Sequence, residues 1–387
     1  MNTDRRMGKY KVLYVNWTSE IGGAEKSLLS LLHCINRERF YPLVVLPDNR
    51  GPLFDELESD NIEVITMPLN RLRKINPVPY IATVFNLFKL IRKNRIDIAH
   101  SNIRFTNQYL VPAAKLARVP VVSHVRALLS REWFLEYLFW LSDFFVANSK
   151  ATEDKYEPYL RKNQKTVVIY NGVDLDRYVP HESKNIIRKK FKIPEGIFLI
   201  GVVASLVPSK GHNWFIQAFK KLVELHPNMY ALLVGDTKVD NTIEYLSELK
   251  EEVEKLGLSE KVIFTSFIED MSELYNSLDL LVLPSKEEPF GRVLIEAMSM
   301  QRPVIATNGG GCPEIIVNGK TGFLVAYKDT DGLVDAVLKI IKNPDLAREF
   351  GVEGRKRVEK LFDIKVVTKK TEQLYLDILT SQNKYAI

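Results

Sequence analysis

Leu280-Leu281-Val282-Leu283-Pro284-Ser285-Lys286-Glu287-Glu288-Pro289-Phe290-Gly291-Arg292-Val293-Leu294-Ile295-Glu296 reads as a strand, a turn and the start of a helix. A short run of aliphatic residues without polar alternation suits a strand covered on both faces, as in a parallel sheet. Pro289 and Gly291 make a turn, and the run from Arg292 to Met300 then reads as a helix entering the core. Ligands of open α/β sheets gather outside the carboxyl ends of the strands, so Glu288 is expected at the mouth of a binding crevice.

The same alternation extends in both directions. Strand-like runs at 198–204, 229–234, 262–266, 303–306 and 322–325 surround the opening stretch, and an earlier series occupies 12–16, 43–46, 62–67, 96–100, 119–124, 144–148 and 167–170. Strands alternating with longer helical patterns imply βαβ units, hence an α/β protein of two Rossmann-like parallel-sheet domains facing a cleft. A chain of 387 residues also exceeds one ordinary core and suits two domains of ~150 to 200 residues. The expected division is an N-terminal, acceptor-side domain over 1–175, a charged and turn-rich linker over 176–196, and a C-terminal domain over 197–363. The closing helical segment, 364–387, is expected to pack back on the first domain.

Composition narrows the class. With 46% hydrophobic and 26% charged residues the chain reads as a soluble globular protein. Its polar, basic start lacks the apolar stretch of a secretory signal, and the most membrane-like window, 134–147, carries Glu136 and Asp143 and falls short of the ~20 apolar residues of a span. Cys34 and Cys312 are far apart and lack metal-ligand spacing, which suits a reducing compartment. The expectation is a cytoplasmic protein; 85–93 and 133–140 mix aromatic, apolar and basic residues and read first as helices packed on a sheet, with peripheral contact at the inner face of the membrane as the alternative. A net charge of +6 is a modest bias towards anionic phosphates at this length and does not point to nucleic acid.

Five elements carry the chemistry. Glu288 and Glu296 are separated along a turn and a helix by roughly 8 Å or more, too far to share a proton, but suited to two hydroxyl-bearing parts of one extended ligand. Gly309, Gly310 and Gly311 follow a strand and precede Pro313, a strand, glycine turn and helix whose amides and dipole favour a diphosphate. Lys210, in Leu206-Val207-Pro208-Ser209-Lys210-Gly211, offers a mobile point charge after the first strand of the second series. In the first domain Gly22 and Gly23 form a weaker phosphate-approaching turn, since the full dinucleotide spacing is missing. His124 closes a strand, where it either faces the cleft or serves as a buried structural histidine. Asp329-Thr330-Asp331 has the form of a metal-binding D-x-D, but it precedes a helical pattern, and helix capping explains it better.

Together these residues resemble the retaining glycosyltransferases of the GT-B fold, in particular family 4, the glycosyl transferases group 1. The resemblance covers most of the chain and is strongest over 201–325. Glu288 and Glu296 match the E-x7-E element, with Phe290 and Gly291 in the expected places and Gly309 to Glu314 following. It implies hydrogen bonds from Glu288 to the donor sugar and from Glu296 to the nucleotide ribose. It further implies a diphosphate held by Lys210 and by Gly309 to Gly311, a first-domain glycine loop at Gly22 and Gly23, and His124 near the reacting sugar. Asn171-Gly172-Val173-Asp174 is similar to the family's interdomain turn. The chain departs from the family at Ser205, which stands where many members carry an arginine for the diphosphate.

The resemblance implies an enzyme that moves a sugar from a nucleotide diphosphosugar, a UDP-sugar first, to a hydroxyl of a glycan or lipid-linked acceptor in cell-envelope polysaccharide or glycolipid synthesis. It implies neither metal nor other cofactor. Rival readings are a nucleotide-sugar epimerase, which would change the donor with no acceptor present, and a noncatalytic nucleotide-sugar-binding partner. Neither glycine loop has the fingerprint of a dehydrogenase.

Overall fold

A computed structural model of the chain describes residues 8–72, 76–182, 185–235, 242–266 and 268–383. The chain divides into two compact units: one holds residues up to Gly172 together with the segment from Ile364, the other Val173–Asp363.

The first unit alternates β1 (Tyr10–Val15), α1 (Gly23–Cys34), β2 (Phe40–Leu46), α2 (Pro52–Ser59), β3 (Glu63–Thr66), α3 (Val78–Asn94), β4 (Ile98–Ser101) and α4 (Arg104–Ala117). It continues with β5 (Val121–Val125), α5 (Arg131–Glu136), β6 (Phe144–Ala147), α6 (Lys150–Tyr156) and β7 (Lys165–Val168). The strands form one parallel sheet in the order β3-β2-β1-β4-β5-β6-β7. Side-chain alternation along β1 shows how the sheet is covered. Val12 and Tyr14 pack with Leu28 and Leu32 of α1, while Leu13 and Val15 pack on the other face with Leu87 of α3 and Leu110 of α4. Both faces of β1 are dry from Val12 to Val15, as in a strand covered by helices on either side.

The second unit runs α7 (Asn185–Lys190), β8 (Phe198–Val203), α8 (His212–Leu225), β9 (Met229–Val234), α9 (Thr242–Lys255), β10 (Val262–Thr265), α10 (Met271–Ser277) and β11 (Leu280–Leu283). There follow α11 (Arg292–Ser299), β12 (Val304–Thr307), α12 (Cys312–Ile315), β13 (Phe323–Val325), α13 (Thr330–Lys342) and α14 (Pro344–Leu361). Its parallel sheet is ordered β10-β9-β8-β11-β12-β13. The stretch 176–196, read from the sequence as a linker, carries α7 within this unit. Arg188 donates to the Ser277 and Ile197 carbonyls and pairs with Asp279 at 2.6 Å, so at least one charge that marks a linker in sequence ties α7 to this unit.

The final helix, α15 (Ile364–Asn383), belongs to the first unit. Val367, Tyr375 and Ile378 join the core on the Val12 and Tyr14 side of the sheet. The Tyr375 hydroxyl lies 3.0 Å from that of Tyr14 and 2.6 Å from His100 Nδ1.

Candidate functional site

In each sheet the strand order reverses beside the first strand, between β1 and β4 and between β8 and β11, and the crevice beyond the carboxyl ends is the natural ligand site. In the second unit the segments following β8 and β11 meet there. Lys210, at the end of a short 3₁₀ turn after β8, places its Nζ 2.6 Å from Glu288 Oε2, and both side chains are largely covered. The two loops are tied by the backbone, Lys286 N–H donating to the Ser209 carbonyl at 2.8 Å. Gly211 makes that approach possible: its φ is +73°, and a Cβ would come within 2.1 Å of the Pro284 carbonyl oxygen.

The glycine turn after β12 clamps Glu288 from the other side. Gly310 has φ +58°, and a Cβ there would lie 2.0 Å from the Glu288 carbonyl oxygen, the same oxygen that accepts from Gly311 N–H at 2.7 Å. Gly309 donates to the Thr307 carbonyl. Among the described residues, the Gly310 N–H is thus the amide of this turn left without an acceptor. Lys210, Glu288 and Gly309 to Gly311 are therefore brought together. Their charges act on their neighbours too: burial, helped by Lys210, holds His212 down to about 4, and burial, helped by Glu288, pushes the Cys312 thiol up.

The remaining candidates of this unit make their contacts elsewhere. Glu296, in the second turn of α11, is only 4% exposed. Its Oε1 accepts from Arg292 Nε at 2.7 Å and its Oε2 from the Tyr275 hydroxyl at 2.8 Å. Burial, ahead of the Glu296 charge, raises Tyr275 well above its ordinary value, so its hydroxyl remains a donor. An ionised carboxylate has about four acceptor positions, leaving Glu296 some capacity beyond these two bonds. Phe290 is buried, its ring edge-on to Phe362 at 5.8 Å, and anchors the turn that presents Glu288. Gly291, with φ +100°, opens α11. Ser205 is exposed on the loop after β8, and its carbonyl accepts from Val207 N–H. The D-x-D carboxylates are engaged locally: Asp329 caps α13 through Gly332 N–H, and Asp331 pairs with Lys221 at 2.9 Å.

In the first unit a second polar group gathers at the reversal point. His124, near the end of β5, is 8% exposed. Arg126 Nη2 lies 3.2 Å from His124 Nδ1, and since a guanidinium only donates, Nδ1 accepts and the ring proton sits on Nε2. That Nε2 is buried with no partner. Burial first, then the Arg126 charge, lowers the basicity of this histidine well below the usual range, so the ring is neutral. It is a buried N–H donor with no acceptor among the described residues. Arg126 also reaches Asn102 O, Asn102 Oδ1 and Asn171 Oδ1. The Asn102 amide in turn donates to Asn16 Oδ1 at 3.2 Å and to the Ala24 carbonyl at 3.4 Å. His124 and the Gly22-Gly23 turn are thereby linked through Asn102. The amides of Gly23 and Ala24 have no acceptor among the described residues, while Gly22 N–H donates to Glu25 Oε2.

Sequence reasoning missed Arg126, Asn102, Asn16 and Tyr275. The first three had a readable signal, a polar residue placed at or within a residue of the end of an apolar strand. Tyr275 had none.

The fold agrees with what the chain is similar to. Residues 183–357 match the family described as "Glycosyl transferases group 1" and residues 21–177 match "Glycosyltransferase Family 4". The chain is a group 1 glycosyltransferase of the GT-B fold. This glycosyltransferase is 31% identical to the capsular polysaccharide biosynthesis glycosyltransferase CapM of Staphylococcus aureus, over 62% of each chain. It is 25% identical to the UDP-Gal:alpha-D-GlcNAc-diphosphoundecaprenol alpha-1,3-galactosyltransferase of Escherichia coli, over 97% of this chain and 98% of that one. Among solved structures it resembles the Anabaena protein HepE in complex with UDP and glucose, with a TM-score of 0.82, 26% identity, and coverage of 94% of this chain and 99% of the other.

Proposed function

We propose that this glycosyltransferase takes a UDP-sugar and transfers the sugar, with retention, to a hydroxyl of a glycan or lipid-linked acceptor in cell-envelope polysaccharide or glycolipid synthesis. The observation that carries the reading is the Lys210–Glu288 pair, clamped by the glycine turn at the reversal point of the second sheet. The names of the relatives support it: one acts in capsule synthesis, one uses UDP-galactose on a diphospholipid-linked sugar, and HepE has been captured with UDP and with UDP-glucose.

Lys210 and the Gly310 amide stabilise the departing diphosphate as its negative charge grows. Glu288 accepts from hydroxyls of the donor sugar, and Glu296, already ordered by Arg292 and Tyr275, accepts from the ribose. The bond from the anomeric carbon to the phosphate oxygen breaks with its electron pair going to the diphosphate. The acceptor oxygen bonds to the same carbon from the same face, and its proton passes to the released phosphate oxygen. His124 Nε2–H donates to a sugar oxygen near the reacting centre, and the Gly22-Gly23 amides approach a phosphate or the acceptor. No bound metal is assigned a part, a reading supported by the local engagement of Asp329 and Asp331.

Among the described residues no helix is long and apolar enough to cross a membrane. Peripheral contact at the cytoplasmic face is supported by α3, where Val78, Ile81 and Phe85 recur at helical spacing with half or more of their surface exposed, and Lys89 lies over the Phe85 ring.

A panel of UDP-, GDP- and ADP-sugars scored by thermal shift identifies the donor, because a ligand that binds only the folded state raises its stability. With the donor found, Glu288→Ala and Lys210→Ala are each expected to lower turnover at least a hundredfold with the fold intact by circular dichroism. Normal turnover by either variant would falsify its assignment. The anomeric configuration of the product, read by NMR, decides retention.

A further inference from the structure

Two arginines of the first unit stand out: Arg104, which a local rule argues against, and Arg71, which shares an aromatic ring with it. Arg104 is the first residue of α4, a helix with no capping side chain and no acidic residue in its first turn. The amino end of a helix favours anions, so a cation there opposes the dipole. Its guanidinium lies 4.5 Å from the centroid of the Phe105 ring, and that of Arg71 lies 4.5 Å from the same ring, so the two charges are within about 9 Å of each other. Neither is paired with a carboxylate among the described residues, and Arg104 Nε is buried without an acceptor. A cation set against the helix dipole, with a buried donor left unpaired, marks a position that a further group can complete.

The surroundings define what that is. Arg104 also lies 4.4 Å from the Trp133 ring and 5.9 Å from that of Tyr137, and Arg71 lies 5.4 Å from Trp17. Trp17 and Trp133 keep 38% and 39% of their surfaces exposed. Trp17 directly follows Asn16, and Arg104 comes two residues after Asn102, so the cluster adjoins the crevice of His124 and Arg126. Two guanidiniums and a helix amino end present fork-shaped donors and positive charge suited to a phosphate. Broad indole faces beside them suit the C–H face of a sugar ring.

We propose that Arg71, Arg104 and the amino end of α4 bind the phosphate of a phosphorylated saccharide acceptor, with its sugar ring lying against Trp17 or Trp133. The inference rests on the transferase reading, in which the first unit takes the acceptor.

Calorimetric titration of the full chain, with UDP present to fill the donor site, tests it using three probes: α-glucose 1-phosphate, N-acetylglucosamine diphosphate carrying a short prenyl chain, and neutral methyl α-glucoside. The phosphorylated probes are expected to bind at least tenfold more tightly than the glucoside, with an affinity that falls as salt is raised. Arg104→Ala and Arg71→Ala are expected to lose tenfold or more of that binding. Arg104→Lys, which keeps the charge and loses the fork, is expected to lose several-fold. Tighter binding of the prenyl compound identifies a lipid-linked source, and equal binding a free sugar phosphate. Glucoside binding equal to that of glucose 1-phosphate, or unaltered glucose 1-phosphate binding by Arg104→Ala, overturns the proposal. The stabilisation by UDP, recorded for every variant, confirms folding and reports separately on the donor reading: its absence in the wild type would sink that reading and leave the anion site standing or falling by the titrations.

Discussion

A histidine's place in a fold can be read from the protons it refuses. His100 is held down to about 3 and His212 to about 4, in each case mainly by burial, and His124 lies well below its ordinary value for the same reason. The unfolded chain protonates its histidines below about 6.5, whereas the folded protein leaves these neutral. Their combined effect is flat above that pH and erodes stability as the pH falls through the window down to about 4 and 3. Each can contribute up to about 1.4 kcal/mol per pH unit. Urea unfolding of the wild type at pH 7 and pH 5 should show the loss, and His212→Asn should show a shallower dependence. Equal slopes in the two proteins would rule out the burial argument for His212. The same lowering bears on His124, which near neutrality is an N–H donor and not a proton carrier.

At the scale of elements, glycines and caps decide where loops go. Gly310→Ala combines a left-handed backbone with a Cβ 2.0 Å from the Glu288 carbonyl oxygen, and the strain, of order 1–3 kcal/mol, is relieved by moving the glycine turn and Glu288 apart. Donor affinity by titration is expected to fall at least tenfold; retention of wild-type affinity would show that the clamp does not position Glu288. Asp329 offers the contrasting case. As the cap of α13, its replacement by Ala should cost about 1 kcal/mol, seen as a melting point a few degrees lower, with turnover unchanged. A collapse of turnover with the fold preserved would give the D-x-D segment a role beyond capping.

On the level of the whole molecule, the chain leaves its first unit at Gly172 and returns to it at Ile364. The returning helix covers part of the sheet and completes a buried polar chain from Tyr14 through Tyr375 to His100. Tyr375→Phe leaves two buried polar atoms with lost partners and is expected to cost about 1–3 kcal/mol. Ending the chain at Asp363 uncovers Tyr14, Val12 and Leu28, and the first unit should then lose its cooperative unfolding transition. A truncated protein that melts like the full one would show α15 to be dispensable.

What the amino-acid order determined by itself is local. Parallel strands buried on both faces must be apolar runs, which is why Met229–Val234 and Leu280–Leu283 are legible to the residue and the others to within a few positions. The positions of Glu288, Lys210 and the glycine turn were likewise readable from where each follows a strand. Only tertiary structure decided which of these groups touch. Strand order places β8 beside β11, bringing residues 78 positions apart within 2.6 Å, while Glu296, eight positions after Glu288, is drawn to Tyr275 and Arg292. The meeting of Arg71 with Arg104 around Phe105, and of Arg126 with His124 and Asn102, belongs to the same class. Periodicity records which face of one element is dry; it carries no term for the neighbour that sheet topology will set against it.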